Sequence, residues 1–143
     1  MAETIIKNFF EMDAFAEKVL ASLSLGKQAA ILTLSGELGA GKTAFVKALA
    51  KALRIRENIT SPTFVIEKIY TLENQLFERL IHIDAYRIED KKELEVLKWK
   101  EIIADPKNLI ALEWPEHVAA LIPKSAREIK FVFVDDTTRS VQF

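Results

Sequence analysis

The amino-acid sequence predicts an α/β domain built on a mixed, partly parallel β-sheet. Three observations carry this. The runs AAILTLS (29–35) and NLIALEW (108–114) are almost continuously apolar, as in strands covered on both faces. Segments with apolar residues at three- and four-residue spacing alternate with such runs, which is the strand–helix alternation of an α/β fold. A glycine-rich turn, GELGAGKT (36–43), joins the first buried run to a helical pattern.

The elements follow in order. Ile5 to Phe9 reads as a short edge strand. Met12, Phe15, Ala16, Val19, Leu20 and Leu23 mark one face of an amphipathic helix, with Gly26 as its stop. The strand 29–35 and the glycine turn come next. Ala44, Phe45, Ala48, Leu49, Ala52 and Leu53 mark a second helix face. TFVIEKIYTLENQLFERLIHID (63–84) holds two strand-like runs around Glu73–Asn74, a hairpin whose turn lacks glycine. KKELEVLKWKEIIAD (91–105) is a charged helical segment ending before Pro106. A second buried strand (108–114), a short helix HVAALIP (117–123), and the strands EIKFVFVDD (128–136) and RSVQF (139–143) complete the chain.

With 143 residues, half of them apolar, the chain has the size of one domain and enough apolar side chains for a core. A net charge of −1 argues against a broad electrostatic footprint for nucleic acid. The absence of cysteine excludes disulfides, thiol nucleophiles and sulfur-ligated metals. The opening MAETIIKNFFEMD has early acids and no long apolar core, unlike a secretory signal. No apolar run approaches the roughly 20 residues of a spanning helix. The expectation is a cytoplasmic protein with no membrane partner.

Gly36, Gly41, Lys42 and Thr43 fit G-x-x-x-x-G-K-[ST], with Gly39 inside the loop. Glycines let backbone amides approach an oxyanion, and the following helix N-terminus adds to the anion nest. Lys42 would reach the β- and γ-phosphates, and the Thr43 hydroxyl would ligate Mg²⁺. A chance match in a chain this long is about one in two hundred. Lys42 is expected on a solvent-facing loop.

Phosphate loops of this kind add an acid at the end of a neighbouring strand. Asp84 ends LIHID and Glu113 ends LIALE, at the carboxyl ends where open α/β sheets place ligands. TSPTF (60–64) is either an ordinary turn into a strand or a loop that senses the γ-phosphate. His82 reads as a core or sheet-surface histidine and Trp114 as packing. Arg87 is suited to pairing with an acid or a phosphate. Lys47, Lys51 and Arg54 form a basic stripe opposite the apolar face of the second helix.

The ordered set GELGAGKT, SPTF, HIDAYR, EWPE and the late R-x-V-x-F at Arg139 to Phe143 resembles the TsaE (YjeE) family, bacterial ATPases of tRNA threonylcarbamoyladenosine biosynthesis. Glu37 stands where that family typically has Asp, and Met12 where it often has Thr. The resemblance implies a P-loop NTPase-like three-layer fold over 1–143 that binds ATP and Mg²⁺. It implies that Glu37, Leu38, Gly39, Ala40, Gly41, Lys42 and Thr43 cradle the phosphates, with Thr43 and Glu113 serving Mg²⁺. Ser61 and Thr63 would belong to a switch-like loop, and Arg139 would contact the nucleotide. Lys42, Asp84 and Glu113 would carry catalysis. The implied partners are TsaB and TsaD, with tRNA engaged indirectly through that pair. The implied role is an accessory ATPase, weak alone. From the residues, three rivals stand beside it: a small-molecule kinase using the same loop, a regulatory GTPase, and a non-hydrolysing nucleotide-sensing module. The GTPase lacks an N-K-x-D signature here.

Overall fold

The structure is a computed structural model, and it describes residues 2–59, 67–90 and 92–143. Seven strands form one sheet in the order β1-β7-β6-β2-β5-β4-β3. In chain order these are β1 (Glu3–Ile6), β2 (Ala30–Ser35), β3 (Glu67–Thr71), β4 (Arg79–Asp84), β5 (Asn108–Glu113), β6 (Arg127–Phe133) and β7 (Arg139–Gln142). The centre, β6-β2-β5-β4, is parallel, while β1-β7-β6 and β3-β4 pair antiparallel. This is the mixed sheet that the buried runs predict: every residue of β5 is buried.

Alternation along each strand divides the core in two. Leu32 and Leu34 of β2, Leu80 of β4 and Leu109 and Ala111 of β5 pack with α1 (Phe9–Ala21) and α2 (Lys42–Ala52). Ile31, Ile81, Ile83, Ile110 and Leu112 pack on the opposite face. There they meet α3 (Lys92–Val96), α4 (Trp99–Ala104) and a 3-10 helix, Pro115–Leu121. Helices cover both faces of the sheet, and the result is an α/β fold of the P-loop type with three layers.

Several local expectations are corrected. The first strand is Glu3–Ile6, and Phe9 already belongs to α1, because the Asn8 side chain caps that helix by accepting from Glu11 N at 2.9 Å. The Glu11 carboxylate reciprocates by accepting from Lys7 N at 2.8 Å. α1 stops at Ala21 rather than near Gly26, with the Ser22 hydroxyl donating to Val19 O. The charged segment 91–105 is two short helices. Lys98 takes a left-handed φ of 60° between them, which lets Trp99 bury its ring and donate its indole N–H to Leu121 O at 2.9 Å. The hairpin turn manages without glycine because Asn74 accepts a φ of 52°. No helix among the described residues is long and apolar enough to cross a membrane.

Candidate functional site

The site lies at the carboxyl ends of β2, β5 and β4, which are adjacent in the sheet. Strand β2 runs straight into the glycine loop, and α2 begins at Lys42. Gly36 (φ 145°), Gly39 (φ 80°) and Gly41 (φ 111°) all take positive φ. At Gly36 the requirement is steric as well as conformational, since a Cβ there would lie 2.5 Å from the Phe131 carbonyl oxygen. Gly41 is the N-cap of α2 and carries no side-chain cap. The first amides of α2 are therefore left for a ligand rather than consumed by a capping hydroxyl or carboxylate.

Lys42 departs from the solvent-facing position expected of it. It is only 5% exposed. Its ammonium donates to the Gly36 carbonyl and sits 3.6 Å from the centroid of the Trp114 ring. Burial pushes its pKa below the ordinary lysine value, against the attraction of Glu113, Glu116 and Asp84. Three acids thus surround one lysine at the loop. Trp114 is more than packing. It follows Glu113 directly and takes a left-handed φ of 57°, a conformation costly for a bulky residue before proline. That backbone lays the indole under the Lys42 ammonium. Tyr86 and His117 continue the aromatic cluster, with ring centroids 4.9 and 5.9 Å from Trp114, and the His117 Nδ1 lies 2.9 Å from Ala85 O.

Asp84 and Glu113 stand side by side, in register on neighbouring parallel strands. Asp84 is partly buried, and desolvation raises its carboxyl above the ordinary aspartate value. The Tyr86 amide, donating to Oδ1 at 2.9 Å, works in the opposite direction, and nearby Glu113 adds to the rise. Glu113 is buried, and its Oε2 lies 2.6 Å from the Nε2 of buried His82. His82 is not a bystander of the core: with His117 it places both histidines of the chain at this site.

Of the residues expected to cradle phosphate, Glu37, Leu38, Gly39 and Thr43 are exposed on the loop, while Ala40 is buried and its amide donates to Glu37 O at 3.0 Å. Arg139 also arrives at the loop. Its Nε donates to Gly39 O at 3.0 Å, and its Nη1 donates to Asp135 O and Thr138 O. The arginine spans from β7 to the loop and braces it. A cavity of about 390 Å³ opens beside the start of α2, walled by Ile6, Asn8, Phe9, Met12, Thr137 and Arg139. Its walls join the two ends of the chain to Gly41 and Ala44 at the start of α2, a meeting that no single local motif shows. Ser61 and Thr63 lie outside the described residues. Arg87 is exposed in the turn after Asp84. The basic stripe is partly spent within the fold, since Lys51 pairs with Asp13 at 2.8 Å and Arg54 donates to Asn74 O.

Among the described residues no group of three or more His, Asp or Glu forms a ready-made metal cage. The donors present suit Mg²⁺ nonetheless, which binds through one or two protein oxygens together with phosphates and water. An exposed Thr43 at the helix start and the paired acids Asp84 and Glu113 supply that kind of oxygen set.

Comparison with known proteins finds related chains. Residues 6–141 match the model of a family described as threonylcarbamoyl adenosine biosynthesis protein TsaE. A tRNA threonylcarbamoyladenosine biosynthesis protein TsaE from Borreliella burgdorferi is 39% identical over 114 residues, 80% of this chain and 78% of that protein. The protein of the same name from Bacillus subtilis is 35% identical over 128 residues, 88% of this chain and 77% of its own length. The crystal structure of YdiB from Bacillus subtilis superposes with a TM-score of 0.74 at 27% identity, covering 98% of this chain and 82% of that one.

Proposed function

The chain belongs to the TsaE family, and from that premise we propose that it is a Mg²⁺-dependent ATPase serving tRNA threonylcarbamoyladenosine modification. One observation carries the reading: an uncapped helix start and a glycine loop at positive φ lie beside a buried lysine faced by Asp84 and Glu113. Loop amides and the α2 N-terminus donate to the phosphate oxygens. Lys42 leaves the Gly36 carbonyl and donates to β- and γ-phosphate oxygens. The Thr43 hydroxyl and the Glu113 carboxylate would hold Mg²⁺, which would supply charge neutralisation on the phosphates. Asp84 is anchored through Oδ1 by the Tyr86 amide. With its carboxyl raised by burial, it is a better acceptor for a proton from water than an ordinary aspartate. The cavity between Ile6 and Arg139 takes the nucleoside, and Arg139 steadies the loop beneath it.

The reaction resets a partner complex rather than modifying tRNA itself, and the partners are TsaB and TsaD. Turnover is slow alone and rises with them. ATP hydrolysis by the purified chain, alone and mixed with TsaB and TsaD, with Lys42→Ala as the blank, tests this. Turnover that increases with the pair and vanishes in the variant supports the proposal. Turnover indifferent to the pair, or absent throughout, defeats it. A phosphorylated small-molecule product would favour a kinase instead.

A further inference from the structure

The histidine beneath Glu113 has no evident reason to be there as a packing residue. His82 is 1% exposed, on the face of β4 that looks toward α2, in register with Ala111 of β5 and so two residues before the Asp84–Glu113 pair. Among the described residues its ring makes one hydrogen bond, from Nε2 to Glu113 Oε2 at 2.6 Å. Its Nδ1 is buried without a partner among the described residues. Burying a polar atom unsatisfied is unfavourable, and an aliphatic residue would fill the same place without it. The imidazole is thus kept for its single contact.

That contact determines how Glu113 is presented. A glutamate side chain has three torsions, and its carboxylate is two-fold about the last. Tying Oε2 to a ring that is itself buried removes that freedom and leaves Oε1 as the oxygen to serve the site. We propose that His82 is a positioning residue for Glu113, holding one carboxylate oxygen so that the other is presented to the Mg²⁺ of a bound nucleotide. The inference rests on the Mg²⁺–nucleotide reading above.

The test titrates Mg²⁺ into the full chain with a non-hydrolysable ATP analogue and follows binding by calorimetry, alongside analogue affinity in EDTA and thermal melting. His82→Asn removes the reach to Oε2, whereas His82→Gln carries an amide donor out to about the position of Nε2. The Mg²⁺ needed for half-saturation should rise about 10- to 100-fold in His82→Asn, as for other groups that orient a metal ligand, and return toward wild type in His82→Gln. Affinity without metal should stay within about twofold in both, because the ring's hydrogen bond goes to Glu113 and not to the glycine loop. In a Glu113→Gln background, His82→Asn should cost nothing further. Should His82→Asn fail to fold, His82→Leu keeps the apolar bulk and carries the same expectation. An unchanged Mg²⁺ requirement overturns the proposal. So does an equal loss of metal-free affinity, since that would mean a structural role. If the wild-type chain itself binds the analogue without regard to Mg²⁺, the metal reading fails and this inference fails with it. If wild type depends on Mg²⁺ and the variants do not differ from it, only the role of His82 is lost.

Discussion

Lys42→Met separates binding from folding at the centre of the site. The substitution keeps an unbranched apolar stem and removes the ammonium, so packing against the loop changes little. Stability is set by opposing effects. The variant loses a charge-assisted bond to the Gly36 carbonyl and a contact with the Trp114 face, together about 2–4 kcal/mol by the usual magnitudes. It also removes a charge whose burial already lowers its pKa, which offsets part of that loss. The net loss should stay below about 2 kcal/mol, or roughly 4–8 °C in melting temperature for a domain of this size. Binding has no such compensation. Two charge-assisted bonds to β- and γ-phosphate oxygens contribute about 3–6 kcal/mol, and surrendering Gly36 O offsets about half. The expected loss is about 1.5–3 kcal/mol, a roughly 10- to 150-fold weaker affinity for a triphosphate. Affinity for the free nucleoside should not change. Calorimetric titration with ATP and with adenosine, beside melting curves, measures all three. A melting temperature lowered by ten degrees or more would make Lys42 a structural cation, and an unchanged triphosphate affinity would remove it from the site.

Further expectations concern the neighbouring acids and the first helix. Glu113→Ala should abolish most Mg²⁺-dependent turnover while analogue binding in EDTA persists; if Asp84→Ala alone removes the Mg²⁺ dependence, the metal acid is on β4 instead. Asp84 carries a raised pKa in the folded chain, so the folded state holds its proton more tightly than the unfolded one. Its contribution therefore falls as pH rises from the ordinary aspartate value of 3.8 through the folded value. Asp84→Asn keeps the bond to Tyr86 N through its amide oxygen and should melt higher than wild type at pH 7, with the advantage shrinking toward pH 4; a lower melting temperature at pH 7 would contradict the burial argument. Asn8→Ala removes the α1 cap and should cost about 1 kcal/mol in denaturant unfolding. No change would mean that the cap is not formed in solution.

Much of the chain was legible before any coordinates. The runs 29–35 and 108–114 are apolar at almost every position because parallel central strands are covered on both faces, and the structure places both there. The loop from Gly36 to Thr43 carries its own chemistry in its residue types, and β2 feeds it into α2 as a strand–turn–helix corner must. Asp84 and Glu113 could each be placed at a strand end, since a strand end shows in the pattern. Helix boundaries were less legible. Whether 91–105 is one helix or two depends on where Trp99 finds its carbonyl partner, 22 residues away at Leu121.

Composition and local pattern by themselves determined the strand–helix alternation, the glycine-loop motif and the strand-end acids near it, because these depend on residues close together in the chain. Strand order and register decided the rest. They set Asp84 beside Glu113, slid His82 under that glutamate, and brought Arg139 across a hundred residues onto Gly39. The left-handed backbone at Trp114 turned an apparent packing residue into the surface that holds Lys42. Each of these is a contact between segments distant in sequence. Its energy comes from burial and hydrogen bonding in the assembled sheet, and no periodicity along the chain records it.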